Sequence, residues 1–212
     1  MQTRSQDKDP HQWAAVLVAS SAGGIEGLGT LLGGLPTGLS VPVLVAQHLN
    51  RSRETHIVSI LQRSTGLPVT LAEDGQHAEA GTVYIAPPDH HLCVRAGGML
   101  ALTREERVNA ARPAADPLFE SAAQILGPGI VACVLSGSDG DGAHGVEVVK
   151  ARGGIVVVQD PATADFHGMP RAAIRTGQVD FVLPLEAIAP AIVDLLRQSV
   201  DQAPGPGQLP SA

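Results

Sequence analysis

Aromatic side chains are scarce in this sequence, at 2% of its 212 residues, which leaves few platforms on which nucleic-acid bases could stack. Basic residues are the minority among the charges, with 14 Lys and Arg against 21 Asp and Glu and a formal net charge of −7. Proteins that track nucleic-acid phosphates carry a basic stripe, which this composition does not provide. Both shortages argue against a nucleic-acid-binding protein.

Long hydrophobic runs and a cysteine framework are missing as well. No apolar run approaches the roughly 20 residues that cross a bilayer, and the first residues, MQTRSQDKDPHQW, are polar and contain no signal-peptide core. Cys93 and Cys133 fall inside apolar runs, so we expect two buried thiols rather than a disulfide or a metal site. The sequence therefore predicts a cytoplasmic protein that is not inserted in a membrane.

Aliphatic residues are abundant enough for one globular domain. Hydrophobic residues make up 44% of the chain, and because aromatics are few, the core has to be built from Val, Leu, Ile and Ala. We predict a flexible leader over residues 1–12, one domain over residues 13–199, and a disordered tail, rich in Pro and Gly, over residues 200–212.

Strand-length runs alternate with helix-like segments along that domain. Most of the runs are apolar throughout, which is typical of parallel strands covered on both faces; they lie at 14–19, 41–46, 82–86, 130–135, 155–158 and 179–183. Segments with apolar residues three and four apart lie at 24–35, 52–63, 116–126, 142–152 and 185–198. The pattern predicts an α/β fold with a doubly wound, mostly parallel sheet and helices on both faces. Two short strands around 96–98 predict an antiparallel hairpin that extends one edge of the sheet.

Polar residues follow three of these strands. Residues 20–24 (SSAGG) come after the first strand, 47–50 (QHLN) after the second, and 136–142 (SGSDGDG) after the run at 130–135. Doubly wound folds place their chemistry beyond the carboxyl ends of the strands. We therefore expect serine, histidine and aspartate side chains to meet at one edge of the sheet.

The SSAGG turn does not fit a phosphate-binding loop, because it lacks both the G-x-G-x-x-G pattern and the Gly-Lys-Ser/Thr of a P-loop. It fits a nucleophile elbow, in which the residues two before and two after the serine must be small. Those residues are Ala19 and Gly23 for Ser21, whereas branched Val18 would precede Ser20. Ser21 is therefore the predicted nucleophile, and a serine that merely caps the next helix is the simpler alternative.

A serine hydroxyl needs a base that accepts its proton, and His48 at the end of the neighbouring strand can serve. The base in turn needs a carboxylate, for which Asp139 and Asp141 both qualify, and the pattern does not separate them. A flexible turn, or a cation site formed by Asp139, Asp141 and His144, is the alternative, although the spacing of an EF-hand is missing. The order Ser, His, Asp also differs from the Ser, Asp, His order of the α/β hydrolases.

Several collinear stretches resemble the catalytic domain of the CheB chemotaxis protein-glutamate methylesterases. They are VASSAGGIEGL, VPVLVAQHLN, VYIAPPDHHLCV, RPAADPLFESAA, VACVLSGSDGDGAHGV, GGIVVVQDPATADFHGMPRAAI and VDFVLPLEAIAPAI. Together they span about residues 14–196, in the order of the family.

The resemblance implies hydrolysis of glutamate methyl esters on the cytoplasmic helices of chemoreceptors, deamidation of receptor glutamines, and no metal or organic cofactor. It implies Ser21, His48 and Asp141 as the catalytic residues, which decides between the two aspartates by analogy. It also implies an oxyanion donor at the Ser138 N–H, and the elbow and the same loop add Ala22 and Gly137 as backbone support.

Some residues depart from the family pattern. Ala22 stands where a threonine is common, and GSDGDG replaces the commoner Gly-Met-Gly-Asn-Asp-Gly. Because only about a dozen polar residues precede the first strand, we expect a stand-alone catalytic domain without the receiver domain of typical members.

Alternative functions are an esterase or amidase with another substrate, and a docking module of the same fold. We predict that Pro170 lies in a first helical turn and that His90 and His91 lie at the surface.

Overall fold

The computed structural model describes residues 14–49 and 55–201. The strands are β1 (Ala15–Ser20), β2 (Val43–Gln47), β3 (Val69–Leu71), β4 (Val83–Ile85), β5 (His91–Arg95), β6 (Met99–Thr103), β7 (Ile130–Val134), β8 (Ile155–Gln159) and β9 (Phe181–Leu183). The helices are α1 (Gly24–Gly33), α2 (Ile57–Gln62), α3 (Ala115–Leu126), α4 (Ala143–Ala151), α5 (Gly168–Arg175) and α6 (Leu185–Asp201). The predicted leader at 1–12 lies outside the described residues, as does the predicted tail from residue 202 onward.

Seven strands form one parallel sheet in the order β3-β4-β2-β1-β7-β8-β9. The chain builds outward from β1 on one side, through β2, and then returns to place β7 on the other side of β1. The register pairs Ser20 with Gln47 and Ala19 with Val134, so the loops after three strands begin side by side. This reversal of strand order is where doubly wound sheets bind their ligands. The predicted doubly wound parallel sheet is confirmed.

Helices cover both faces of the sheet, as predicted. Residues of β1 alternate between two cores: Leu17 packs with Phe119 of α3 on one face, and Val18 packs with Leu31 of α1 on the other. All of these side chains are fully buried. Because both faces of β1 are covered, its sequence AVLVAS is apolar almost throughout, which is why it was recognisable as a parallel strand. Within the described residues, no helix combines the length and the apolar character needed to span a membrane.

The antiparallel hairpin forms as predicted, but its predicted position at an edge of the main sheet is wrong. β5 and β6 pair around a turn at Ala96–Gly98 and make a separate two-stranded sheet. Leu92 and Leu100 of this hairpin are buried in the core that contains α3, and the Val94 N–H donates to Ser121 Oγ of α3. The hairpin therefore packs on a helix and buries its apolar face there.

Candidate active site

Ser21 lies on the turn that joins β1 to α1, where the backbone is constrained on both sides. Its N–H donates to the Ser136 carbonyl at 3.0 Å, which fixes the turn to the loop after β7. Gly23 caps α1 with φ = 69°, a left-handed conformation that favours glycine. A methyl group at Gly23 would also press on Asp165 and on the ring of Phe166. The glycine at position 23, one of the two small residues that predicted an elbow, is thus required by its packing.

The structure brings Ser21, His48 and Asp141 into one hydrogen-bonded chain. Ser21 Oγ lies 2.9 Å from His48 Nδ1, and His48 Nε2 lies 2.7 Å from Asp141 Oδ2. Because an ionised carboxylate can only accept, Nε2 of the neutral ring carries the proton and Nδ1 accepts from the Ser21 hydroxyl. Ser20, the other serine of the turn, is buried and donates its hydroxyl to Gln47 Oε1. Only Ser21 therefore faces the histidine.

Asp141 is fully buried and accepts from four N–H groups: those of His48 Nε2, Ala115, Asp116 and Gly142. The N–H groups of Ala115 and Asp116 belong to the first turn of α3, whose own N-cap residue makes no side-chain hydrogen bond. The carboxylate therefore replaces that cap, and the partial positive charge of the helix N-terminus stabilises it.

His91 supports the same helix end. It is fully buried, so the prediction that it lies at the surface is wrong. Its Nδ1 accepts from the Ala114 N–H at 3.2 Å and its Nε2 contacts the Glu106 carbonyl at 3.0 Å. Burial lowers the pKa of His91 and outweighs the bond to the Glu106 carbonyl, which acts in the opposite direction. A neutral ring fits these two partners, since one is a donor and the other an acceptor.

The second candidate aspartate, Asp139, also contacts the histidine, but on the side of the serine. Asp139 Oδ2 lies 3.5 Å from His48 Nδ1, and Asp139 Oδ1 accepts from the Asp141 N–H at 3.0 Å. Its side chain is 32% exposed, whereas that of Asp141 is inaccessible to solvent. The two carboxylates therefore flank opposite nitrogens of one imidazole.

Burial and charge act in opposite directions on His48. Burial lowers its pKa, and the hydrogen bond to Asp141 together with the charges of Asp141 and Asp139 raises it. The charges prevail, so the pKa of His48 lies above its ordinary value of 6.5. A histidine that gains proton affinity from fixed carboxylates is a stronger base toward a serine hydroxyl.

Gln47 holds the backbones of the two residues that meet at the site. Its Nε2 donates to the Ser21 carbonyl at 2.9 Å and to the His48 carbonyl at 3.1 Å, and its Oε1 accepts from Ser20. A methyl group at Gly24 would collide with this pair of side chains. Gln47 was not predicted from the sequence to be a functional residue, although it directly precedes the predicted base His48.

The loop after β7 fits tightly against the elbow. Ser136 Oγ donates to the Ala22 carbonyl at 2.8 Å, and the Gly137 N–H donates to the Phe166 carbonyl at 2.9 Å. A methyl group at Gly137 would lie 3.1 Å from Ser21 Cβ and would overlap Met169 Sδ. Among residues 14–49 and 55–201, the N–H groups of Ala22 and Ser138 have no acceptor, whereas the N–H of Gly137 is engaged.

Asp116 is a further buried carboxyl that sequence reasoning missed. It lies in the first turn of α3, and its Oδ1 accepts from the Gly145 N–H of α4 at 2.7 Å. Burial raises its pKa to about 6, the bond from Gly145 opposes that change, and the charge of Asp141 adds to it.

His144 lies beside Glu120 and Glu147 rather than beside the two aspartates of the loop. No metal-binding cluster of His, Cys, Asp and Glu side chains occurs in the described part of the chain.

The hydrogen-bonded chain of serine, histidine and aspartate lies where the strand order of a parallel sheet reverses. This arrangement is typical of serine hydrolases with a doubly wound fold. The family model described as CheB methylesterase matches residues 16–192, and this chain belongs to the CheB methylesterase family. The predicted family and the predicted enzyme class, an ester hydrolase, are thereby confirmed.

Relatives cover the described fold almost completely. The crystal structure of the Thermotoga maritima CheB methylesterase catalytic domain matches with a TM-score of 0.83 and 34% identity, over 87% of this chain and 99% of that one. A protein of Leptospira interrogans is 36% identical over 90% of this chain and 98% of its own length, and is provisionally named protein-glutamate methylesterase/protein-glutamine glutaminase. The protein of that name from Pyrococcus horikoshii is 38% identical over 84% of this chain, which spans 50% of the Pyrococcus protein.

Proposed function

We propose that this chain hydrolyses methyl esters of glutamate side chains in a protein substrate and deamidates glutamine side chains at the same site. The observation that carries the proposal is the pair of contacts on His48, 2.9 Å to Ser21 Oγ and 2.7 Å to Asp141 Oδ2. The names of the family and of its relatives supply the substrate class, and the contacts supply the chemistry.

In the first step, Ser21 Oγ attacks the ester carbonyl carbon while His48 Nδ1 takes the hydroxyl proton. The imidazolium that forms is stabilised by Asp141 on Nε2, and the negative charge moves onto the carbonyl oxygen. The N–H groups of Ala22 and Ser138 supply donors for this oxyanion, because the N–H of Gly137 is already engaged. Each such donor is typically worth about 3 kcal/mol in the transition state.

In the second step, the bond to methoxide breaks and Nδ1–H gives its proton to the departing oxygen, so methanol leaves and a Ser21 ester remains. A water molecule then attacks that ester, with His48 again accepting a proton and returning it to Ser21 Oγ. The products are a glutamate carboxylate and free enzyme. With a glutamine substrate the same sequence releases ammonia instead of methanol.

We propose that the substrates are the cytoplasmic helices of methylated chemoreceptors. Phe166 supports a macromolecular substrate, because the residue is 45% exposed although its ring lies where a Cβ at Gly23 of the elbow would meet it. Its backbone is fixed, since the Phe166 N–H donates to Ser136 Oγ at 3.0 Å and its carbonyl accepts from Gly137. An exposed aromatic ring on a fixed backbone beside a nucleophile suits contact with the apolar side of an amphipathic helix.

The test is the release of methanol from methylated receptor by wild type, Ser21→Ala and the matched control Ser20→Ala. We expect the Ser21 variant to lose several orders of magnitude in rate. The Ser20 variant should keep measurable turnover and should still be labelled by a fluorophosphonate probe. Equal rates in wild type and Ser21→Ala would overturn the assignment. Labelling of Ser21 without methanol release would instead show a serine hydrolase that acts on another substrate.

A further inference from the structure

We propose that Asp139 is a positioning residue that holds the charged form of His48 from the side of the serine and so sets the lowest pH at which the enzyme turns over. This inference rests on the proposed function, in which His48 has to be neutral before it can accept the Ser21 proton. Asp139 does not replace Asp141, because the two carboxylates face different nitrogens of the ring.

The geometry makes the contact of Asp139 with His48 depend on charge. At 3.5 Å, Asp139 Oδ2 is too far from His48 Nδ1 for a strong hydrogen bond but close enough for an ion pair. In the neutral ring, Nδ1 presents a lone pair to Ser21 and gains nothing from a carboxylate. In the protonated ring, Nδ1 carries an N–H with positive charge, which the carboxylate attracts. Asp139 therefore stabilises only the protonated form.

The Asp139 carboxylate is held in place by the backbone of its own loop, which also carries Asp141. Asp139 Oδ1 accepts from the Asp141 N–H at 3.0 Å, which fixes the side chain while Oδ2 faces the ring. One carboxylate thus touches both partners of the His48–Asp141 pair. A residue that only stabilised the turn would need the bond to the Asp141 N–H, but not the contact with the His48 ring.

The other titratable groups near this pair lie behind Asp141. Among the described residues, the recorded ion pairs of His48 are those with Asp139 and Asp141. Asp116 donates its N–H to Asp141, and His91 contacts Ala114 and Glu106 rather than His48. Asp139 is therefore the group whose charge reaches Nδ1 directly, and its charge is among the causes that raise the pKa of His48.

Removal of that charge has two opposite consequences for the rate. Asp139→Asn should lower the pKa of His48, and because Asp139 is about one third exposed and screened, the expected change is about 0.2–0.7 pH unit. The pH below which activity falls then moves down by the same amount. A weaker base also accepts the serine proton less well, so the rate at neutral to alkaline pH should fall by up to about twofold. The two pH profiles should cross.

The variants separate charge from turn geometry. Asp139→Asn keeps an oxygen for the Asp141 N–H, and Asp139→Ser keeps a shorter acceptor of the same kind, whereas both remove the charge. Asp165→Asn is the matched control, since Asp165 is an exposed carboxylate beside Gly23 that makes no recorded contact with His48. Asp116→Asn tests whether the titration of a neighbouring buried group accounts for the change.

Two measurements give the answer without a receptor. The imidazole resonances of His48, assigned with a His48→Gln variant among the eight histidines, report its titration by NMR. The rate of fluorophosphonate labelling between pH 5 and pH 9 reports the reactivity of Ser21. We expect both midpoints to move down in the two Asp139 variants and to stay at the wild-type value in Asp165→Asn.

An unchanged or raised His48 midpoint in Asp139→Asn would overturn the inference, as would an equal shift in Asp165→Asn. An equally large downward shift of the His48 midpoint in Asp116→Asn, a variant that keeps Asp139, would also overturn it. The proposed function is judged separately by methanol release at one pH. A wild type that labels and titrates as expected but releases no methanol therefore refutes the substrate and not the role of Asp139.

Discussion

Replacement of Asp141 by asparagine changes one atom, and the hydrogen bonds around that atom predict a double effect. Asp141 accepts from the N–H groups of His48 and Ala115 on Oδ2 and from those of Asp116 and Gly142 on Oδ1. If the new NH₂ group replaces Oδ1, two buried backbone N–H groups lose their acceptor. If it replaces Oδ2, only the Ala115 N–H loses its acceptor, and the His48 ring can change tautomer so that its Nε2 accepts from the new NH₂ group. The second orientation should prevail, because each unsatisfied buried donor costs about 1–3 kcal/mol.

In that orientation His48 carries its proton on Nδ1 and cannot accept the proton of Ser21. We therefore expect Asp141→Asn to lower the rate of fluorophosphonate labelling by about 10⁴, the size of effect seen for a wrong tautomer in a serine hydrolase. The free energy of unfolding in urea should fall by about 1–3 kcal/mol from the one lost donor. Asp139→Asn is the matched control and should lose less than tenfold. A rate within tenfold of wild type for Asp141→Asn would refute the argument.

Three further substitutions test individual contacts. Gly137→Ala should slow labelling of Ser21 by tenfold or more, since its Cβ overlaps Met169 Sδ, and Met169→Ala in the same chain should restore part of the rate; no effect of Gly137→Ala would contradict the close approach. Phe166→Ala should raise KM for methylated receptor about tenfold and leave labelling by a small probe unchanged, so equal KM values would exclude a substrate contact. Burial raises the pKa of Asp116 from 3.8 to about 6 in the folded chain, so its ionisation destabilises the fold as pH rises between these values. The stability of Asp116→Asn relative to wild type, measured as the free energy of unfolding, should therefore be about 2–3 kcal/mol more favourable at pH 7 than at pH 4. A difference between variant and wild type that does not change with pH would contradict this.

The sheet was predictable because its strands are covered on both faces. The apolar runs that became β1, β2, β7 and β8 need no partner to be recognised, since both sides of each strand are buried. β3 was missed because its three residues, VTL, include a polar threonine, whereas the equally short β4 (VYI) and β9 (FVL) carry no charged or hydroxyl-bearing aliphatic residue. The position of the hairpin was wrong because it is set by contact with α3, and a hairpin sequence carries no information on that contact.

The site was predictable to the extent that local geometry constrains it. The small residues around Ser21 distinguish it from Ser20, and of the two serine side chains it is that of Ser21 that contacts the His48 ring, whereas that of Ser20 donates to Gln47. Asp139 and Asp141 could not be separated from residue pattern, because both carboxylates contact the same ring. The difference between them comes from the N-terminus of α3, whose N–H groups donate to Asp141 and not to Asp139. Such a tertiary contact has no counterpart in the sequence of the loop.

The central claim is that Ser21 and His48 act as one unit in methyl ester hydrolysis. The most direct measurement is methanol release from methylated receptor by Ser21→Ala, His48→Ala and the variant that carries both changes. Because each residue is useless without the other, the account predicts that the double variant is no slower than either single variant. Rate losses that multiply in the double variant would contradict it, since they would show two residues acting independently.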